Sequence, residues 1–295
     1  MVRNFEPMIL VNITNIILQR KNVFLRCPME VSVMKMTRTL AAACATFVIG
    51  FNAFAIDGTE VMQKVFDRQK PDFTKAAVTL TLTDKKGAKE VRQVGEYGRC
   101  KDNLTDIIMI FFSPSTVKDT RFLVKENKDR DDDKWIYLPS LRTTRRVAAS
   151  EGEKPFVGTD FSYDDMSSRE VSDDTHELLK ESENKGNFTD LYVVKSTPKD
   201  PKSSQYSYRI SWVTKDSLIP TYIEMYDKKG KLLKVNEIKS ITQKTGKKTY
   251  NIPMENVMTN VQTGHSTILK MVNIEVDKPL ADGYFSTNFL NSGKL

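Results

Sequence analysis

Few residues in this chain have the type and spacing needed for chemistry. The two histidines, His176 and His265, have no cysteine or second histidine at metal-ligand spacing. Asp160, Asp164 and Asp165 lie close together, and paired carboxylates are what a glycoside hydrolase uses. Aspartates beside glycine and serine, however, commonly form turns and caps. Since nucleotide-binding glycine patterns and a nucleophile elbow are also missing from the sequence, we predict no catalytic residue, no metal site and no cofactor.

Aromatic side chains give a stronger signal, and it points to binding. Ligand pockets are mostly apolar with few polar anchors, and a large half-closed barrel is not filled by its own side chains. An alternative, in which each aromatic simply belongs to the core, stays open. The side chains predicted to line a hydrophobic cavity are Trp135, Tyr137, Leu138, Phe156, Phe161, Tyr163, Tyr208 and Trp212.

Charged residues next to these aromatics are predicted to form a rim or lid. At a rim, the arginines would meet lipid phosphates or an acidic partner, since guanidinium groups bind such anions with two hydrogen bonds. Alternatively, the arginines pair with the neighbouring aspartates and pin the loop to the preceding strand. The predicted rim residues are Arg142, Arg145, Arg146, Asp160 and Asp165.

The elements that must position these groups are mostly strands. Val78, Leu80 and Leu82 alternate with threonines, as in a half-buried strand. Residues 107–112 are apolar at every position, as in a strand covered on both sides. The other strands are predicted near 89–97, 121–126, 135–138, 171–181, 188–195, 205–213, 219–226, 232–241, 249–262 and 265–276. Most are joined as hairpins, and the words Asp-Lys-Lys-Gly at 84–87 and 227–230 mark two of the turns.

A helix is predicted over 58–69. Asp57 precedes it and Glu60 follows three residues later, which is a variant of the capping box. An apolar stripe runs along it, and Pro71 ends it. The sequence therefore predicts a mainly β protein with few helices, whose large antiparallel sheet buries one face under the helix and the loop near 156–165.

The first 55 residues look like a targeting segment. A basic start at 34–38 precedes a short apolar run, and Ala53-Phe54-Ala55 is a small-x-small cleavage site. We therefore expect a signal peptide over 34–55, cut after Ala55, and a single domain over 56–295. Residues 1–33 precede this signal, and we interpret them as a misassigned upstream start or an extended leader.

Charge and cysteine content exclude some classes. The formal charge is +7, and most of the excess lies in the leader, so the remainder is not a nucleic-acid footprint. Cys100 is the single cysteine after residue 55, so no disulfide within the exported chain is expected.

Two long words of unusual composition resemble the LolA-like outer-membrane lipoprotein-sorting proteins. They are W-I-Y-L-P-S-L-R-x-x-R-R at 135–146 and F-x-G-T-D-F-S-Y-D-D at 156–165. Weaker matches are I-P-T-Y-I-E-M-Y-D-K-K-G-K-L at 219–232 and M-E-N-V-x-T-N-V-Q-T-G-H-S-T at 254–267. The resemblance covers roughly residue 57 to the end of the chain.

This resemblance implies an unclosed β-barrel with helices over its mouth. It also implies a monomeric periplasmic carrier that takes lipoprotein acyl chains or free lipid from an inner-membrane transporter, of ABC or RND type, to an outer-membrane acceptor. It assigns no closing role to a particular arginine here. Two alternatives stay open: a periplasmic domain that senses lipid or lipoprotein, and a lipid carrier that serves an RND-type exporter. An enzyme is the least supported reading.

Overall fold

Alternating side chains and short turns make this chain a meander of strands. The computed structural model describes residues 56–128 and 130–295. The two α-helices are α1 (Gly58–Phe66) and α2 (Thr287–Ser292). The strands are β1 (Phe73–Thr83), β2 (Lys89–Lys101), β3 (Leu104–Ser113), β4 (Arg121–Lys125), β5 (Asp133–Leu138), β6 (Thr143–Arg146), β7 (Asp174–Lys185), β8 (Phe188–Pro198), β9 (Tyr208–Thr214), β10 (Pro220–Tyr226), β11 (Leu232–Thr245), β12 (Thr249–Asn260) and β13 (His265–Val276).

All thirteen strands form one antiparallel sheet in the order β6-β5-β4-β3-β2-β1-β13-β12-β11-β10-β9-β8-β7. Strands that follow one another in the chain are neighbours in the sheet, except β6 and β7, which lie at its opposite edges. The first and last strands, β1 and β13, are also neighbours. Within the described residues no pairing joins β6 to β7, so the sheet is not closed into a barrel. This confirms the mainly β, antiparallel, unclosed architecture predicted from the sequence.

The sheet has an inner face, which we define as the face carrying Leu80 and Leu82 of β1. Residues directly opposite each other in antiparallel strands point to the same side. A series of such pairs runs from Leu82 to Val194 on β8, through these residues in order: Thr267, Met258, Asn236, Ile223 and Ser211. The inner face is therefore continuous across at least seven strands.

Helix α1 covers one part of this face. The Asp57 side chain caps it by accepting a hydrogen bond from the Glu60 amide at 2.8 Å. Its buried residues Val61 and Val65 pack with Val194 and Val213. At the far end of the helix, the Asn103 side chain donates to the Phe66 carbonyl at 3.1 Å, so α1 also reaches the turn between β2 and β3.

Helix α2 covers the outer face at the other end of the sheet. Phe289 and Leu290 are buried against Ile108, Leu123 and their neighbours. This explains why residues 107–112 of β3 are apolar at every position, since Ile108 is buried under α2 while Met109 and Phe111 are buried on the inner face.

Several boundaries differ from the predictions. Helix α1 ends at Phe66, three residues before the predicted end at residue 69 and well before Pro71. The short edge strand β6 was not predicted, because the arginines and threonines at 143–146 lack an apolar alternation. The leader, its cleavage site and the start of the chain lie outside the described residues. None of the described helices has the length and apolar character needed to cross a bilayer.

Candidate functional site: the inner face and the central loop

The segment 147–173 between β6 and β7 lies on the inner face, and we call it the central loop. Its Phe156 is the centre of an aromatic cluster. The Phe156 ring lies 4.7 Å from that of Phe122, 6.0 Å from Phe111 and 5.9 Å from Tyr163. Such centroid distances are those of favourable tilted and edge-to-face pairs. All four side chains are buried, so this part of the inner face is filled.

A tight backbone turn places the Phe156 ring against the inner face of the sheet. Val157 and Gly158 both have positive φ, 46° and 75°, a conformation that glycine adopts easily and valine rarely. The turn is closed by hydrogen bonds from the Phe156 amide to the Phe161 carbonyl at 2.7 Å and from the Thr159 hydroxyl to the Phe156 carbonyl at 2.8 Å. The Arg92 guanidinium on β2 donates to the Val157 carbonyl, which ties the turn to the sheet.

A first side-chain contact, which we call latch one, joins the loop to β13. The Asp160 carboxylate accepts a hydrogen bond from the Thr267 hydroxyl at 2.7 Å and lies 2.7 Å from His265 Nδ1. The Asp160 amide in turn donates to the Thr267 hydroxyl at 3.0 Å. Asp160 and Thr267 are buried, where an unpaired carboxylate would be costly.

Latch one contains an aspartate, a histidine and a hydroxyl, but not in the order of a catalytic triad. In a triad the histidine lies between the carboxylate and the nucleophile. Here the Thr267 hydroxyl donates directly to the Asp160 carboxylate. The arrangement positions the loop and gives no activated nucleophile. No cluster of three potential metal ligands occurs among residues 56–128 and 130–295.

A second contact, latch two, joins the loop to Lys234 on β11 and to Tyr206, which precedes β9. The Asp165 carboxylate accepts hydrogen bonds from the Tyr206 hydroxyl at 2.9 Å and from the Ser162 amide at 2.8 Å. Lys234 Nζ lies 3.2 Å from it. Burial and the adjacent carboxylate raise the pKa of Tyr206 far above its usual range. Because both ions of the Lys234–Asp165 pair are largely buried, removing one would strand the other.

The predicted arginines do not pair with the loop aspartates. Arg145 lies 2.6 Å from Glu151 and Arg146 lies 2.5 Å from Asp133. Asp164 is instead 3.1 Å from Lys134. The alternative in which the arginines pin the loop through Asp160, Asp164 or Asp165 is therefore wrong, because lysine, histidine and tyrosine side chains from other strands occupy those carboxylates.

Glu151 joins Arg145 to the start of the central loop. Hydrogen bonds from Lys154 and Arg145 lower the pKa of Glu151 to about 2. The remaining predicted rim residue, Arg142, lies in the exposed turn after β5, with φ of 51°.

The eight side chains predicted to line a cavity fall on two faces. Leu138, Phe156, Phe161 and Tyr163 belong to the inner cluster. The other four lie on the outer face: Trp135, Tyr137, Tyr208 and Trp212. The eight therefore do not line one common space, because successive strand residues point to opposite sides. That the inner four bind a ligand stays a prediction.

Another part of the inner face is less completely buried. Here apolar side chains pack against the main cluster yet keep accessible surface. Interior side chains of a small filled core are normally closely packed on all sides. The half-buried residues of this region, which we call the open floor, are Ile107, Ile223, Met254, Leu269 and Met271.

Three side chains on the inner face carry a polar group that has no partner among the described residues. Asn236 Oδ1 and Asn256 Oδ1 are buried and accept no hydrogen bond from the described residues. Glu96 lies opposite Ala76 and Met109, and no ion pair to it is formed in the described part of the chain. Burial raises the pKa of Glu96 to about 7, although its side chain keeps some accessible surface.

Sequence reasoning missed the groups that hold the loop. Tyr206 and Lys234 lie outside the motifs quoted from the sequence, and Thr267 was given no role. One signal was present, since the words at 156–165 and 254–267 contain both partners of latch one. A functional contact often joins two motifs that are distant in the chain. That these two motifs lie together in space could not be predicted without the order of the strands.

Comparisons with known proteins give a family match and several related folds. A family model with the description "Uncharacterized protein" matches residues 103–292. Among solved structures, an outer membrane lipoprotein-sorting protein domain from Vibrio parahaemolyticus is 29% identical, with a TM-score of 0.73, over 79% of this chain and 98% of that one. No curated protein matches the sequence.

Two further structures share the fold. A DUF1329 family protein from Desulfovibrio piger is 25% identical, with a TM-score of 0.73, and the match covers 79% of this chain and 97% of that one. A LolA superfamily protein from Nitrosomonas europaea is 18% identical, with a TM-score of 0.61, over 80% and 100% of the two chains.

Proposed function

The chain belongs to the LolA-like family, and we propose that it is a periplasmic carrier that binds the acyl chains of lipoproteins, or free lipids, on the inner face of its sheet. In this proposal it moves them from the inner to the outer membrane. The observation that carries the proposal is the open floor: apolar side chains that are accessible inside a curled sheet.

An acyl chain suits the open floor chemically. Each buried CH₂ group contributes about 0.8 kcal/mol, so a long chain is held without any strong polar contact. The floor residues are aliphatic or methionine, and methionine adapts its shape to irregular ligands. A surface of this kind binds many chains of similar length and releases them without breaking salt bridges, as a carrier must.

The unpartnered polar groups support an internal space. Glu96 is desolvated enough for its pKa to rise to about 7 and yet is not fully covered. A side chain that faces an enclosed hollow has both properties. Asn236 and Asn256 would then meet water or the polar end of the cargo, since buried amide oxygens are rarely left without a donor.

The central loop is the lid in this proposal. Its two latches hold Phe156, Phe161 and Tyr163 against the inner face. Release of the latches would uncover these aromatics and extend the open floor with the side chains predicted from the sequence. Arg142, Arg145 and Arg146 would then lie at the rim, where phosphate groups of a lipid suit guanidinium donors.

Arg145 provides a test of the rim. If it holds the start of the lid through Glu151, Arg145→Ala should speed both lipid loading and lipid release. Arg146→Ala, whose partner Asp133 lies outside the loop, is the matched control and should leave both rates unchanged. Equal rates in the two variants and the unmodified protein would show that Arg145 does not hold the lid.

The partners follow from the same proposal. Cargo would come from an inner-membrane transporter, of ABC or RND type, and pass to an outer-membrane acceptor, with the carrier acting as a monomer. No catalytic step is part of this proposal, in which Asp160 and Asp165 of the loop and His265 of β13 form the latches.

Two positions on β13, three residues apart, test the binding surface. Leu269 lies on the open floor, whereas Val272 is 65% exposed elsewhere on the same strand. Leu269→Glu should abolish loading of a fluorescent fatty acid, because it places a charge against the acyl chain. Val272→Glu should load normally. If both variants load like the unmodified protein, the inner face is not the binding surface.

A further inference from the structure

Three neighbouring hairpin turns lie side by side at one end of the strands. They join β1 to β2, β12 to β13 and β10 to β11, whose strands are consecutive in the sheet. The first and second touch, because a Cβ at Gly264 would lie 3.5 Å from that of Lys85. The second and third are hydrogen-bonded, since Gln262 Nε2 donates to Asp227 Oδ2 at 2.9 Å. The three tips therefore form one continuous edge, which we call the lysine edge.

The aspartates of the lysine edge are held by their own turns. The Asp84 carboxylate accepts hydrogen bonds from the Lys86 and Ala88 amides at 2.8 and 2.9 Å. Asp227 does the same for Lys229 and Lys231, both at 2.9 Å. Both carboxylates are thus directed into their own turns.

The lysines of the same hairpins are directed to solvent. The exposed lysines of the edge are Lys85, Lys86, Lys89, Lys229 and Lys231. None of these five forms an ion pair within the described residues. Lys228 is different, because its ammonium donates to carbonyls of the 198–207 loop.

An apolar side chain lies in the middle of the lysine edge. Val261 begins the central hairpin and is 43% exposed. Its amide donates to the Leu233 carbonyl at 2.9 Å, so the backbone holds it at the edge. Lysines around an exposed apolar tip are the composition of a membrane-surface contact, in which charges meet the headgroups and the apolar group enters the interface.

We propose that the lysine edge docks this protein onto an anionic phospholipid surface. Flexible lysines act as separate point charges, which suits a fluid layer of phosphates. The three tips lie along a row of six strands, roughly 25 Å from end to end at the usual strand spacing, and form no groove. A protein partner would more typically be met by aromatic and arginine side chains, and the three turns carry none.

Docking at this edge would bring the lid to the membrane. His265 of latch one is the first residue of β13 and directly follows the central hairpin turn. Phosphates gathered by the lysines would therefore lie near the Asp160–His265 contact. The docking proposal does not depend on the cargo proposal, since it concerns a different surface.

The test measures binding of the full-length protein to two kinds of vesicle. One is phosphatidylcholine alone, and the other is an equimolar mixture of phosphatidylcholine and phosphatidylglycerol. We expect binding to the anionic vesicles only, and binding that weakens as salt is added. Each lysine near such a surface contributes about fivefold in affinity, so the variant K85Q/K86Q/K229Q/K231Q should bind about a hundredfold or more weakly.

The matched control removes four exposed lysines away from this edge, as K75Q/K101Q/K247Q/K248Q. It has the same net charge as the test variant and should keep nearly full affinity. A second reading comes from Val261→Trp, whose added fluorescence should shift to the blue with anionic vesicles alone. Fatty-acid loading from solution should be the same in the lysine variants, which separates docking from cargo binding.

Three results would overturn the proposal. Equal losses in the two quadruple variants would show a general charge effect. Equal binding to neutral vesicles would remove the role of the lysines. Failure to bind either vesicle, together with lysine-dependent binding to an acidic protein, would assign the edge to a protein partner.

Discussion

The inner face has two parts that share one sheet but differ in packing. Under the central loop, the rings of Phe111, Phe122 and Phe156 are buried to 2% exposure or less. On the open floor, Met254 and Met271 contact the same cluster and keep accessible surface. The loop supplies the aromatics that cover the first part, and the second part stays half-buried.

In the proposed carrier, this difference would combine a stable part with a part that accepts cargo. Close packing stabilises a fold in proportion to the apolar surface it removes from water. Accessible apolar surface costs that stability but is available to a ligand. Since the filled part is held by a loop with two polar latches, the boundary between the parts can move when the latches open. The following changes would break or sharpen this distinction.

The largest effect is expected at Phe156. Phe156→Ala removes a buried ring with three aromatic neighbours, and such changes cost about 3–5 kcal/mol. Met271→Ala on the open floor should cost less than about 1.5 kcal/mol, because its side chain is already partly in water. Urea unfolding measures both. Equal costs would mean that the two parts are packed alike.

A smaller loss is expected at latch two. Asp165→Asn leaves Lys234 buried without its counter-ion, which costs about 3 kcal/mol at a buried pair. Asp164→Asn breaks the more exposed pair with Lys134 and should cost less than about 1 kcal/mol. Limited proteolysis should cut the central loop faster in the first variant only.

A still smaller change is expected at Gly158. Its φ of 75° makes Gly158→Ala cost about 1 kcal/mol. Gly230→Ala, at a hairpin with φ of 73°, should lose a similar amount of stability. Only the Gly158 change should alter the rate of fatty-acid loading, because only that turn positions the lid. Altered loading in both variants would reduce the effect to general destabilisation.

The last expected effect, a pH dependence from Glu96, is confined to one part of the pH range. Its pKa in the folded protein is about 7, above the ordinary value of 4.5, so the folded state binds the extra proton between these values. Stability contributed by this group is therefore lost as the pH rises through that window. Glu96→Gln should raise the melting temperature at pH above about 7, and have little effect below about 4.5. A pH-independent difference would place Glu96 in ordinary solvent.

Much of the sheet was predictable because its signals are local. Alternation in β1, turn words such as Asp-Lys-Lys-Gly, and proline after α1 are all read within a few residues. β6 escaped because arginine and threonine carry no burial pattern, and its strand character comes from pairing with β5. The order of the strands follows from hairpins alone, except for the β1–β13 pair, which joins residues nearly 200 positions apart.

The site was less predictable, for a physical reason. Trp135 and Ile136 are both apolar, so composition cannot tell which one faces inward when both faces of the strand are covered. The structure turns Ile136 to the inner face and Trp135 towards α2. Likewise, Asp165 has Arg145 nearby in sequence but takes Lys234 from a distant strand, because the curl of the sheet decides which charges meet.

Photo-cross-linking of a bound acyl chain tests the central claim most directly. A fatty acid with a diazirine near its end would be loaded, irradiated and mapped by mass spectrometry. The proposal predicts cross-links on the open floor, at Met254, Leu269 or Met271, and none at the outer residues Trp135 and Trp212. Cross-links confined to the outer face, or a probe that never loads, would contradict it.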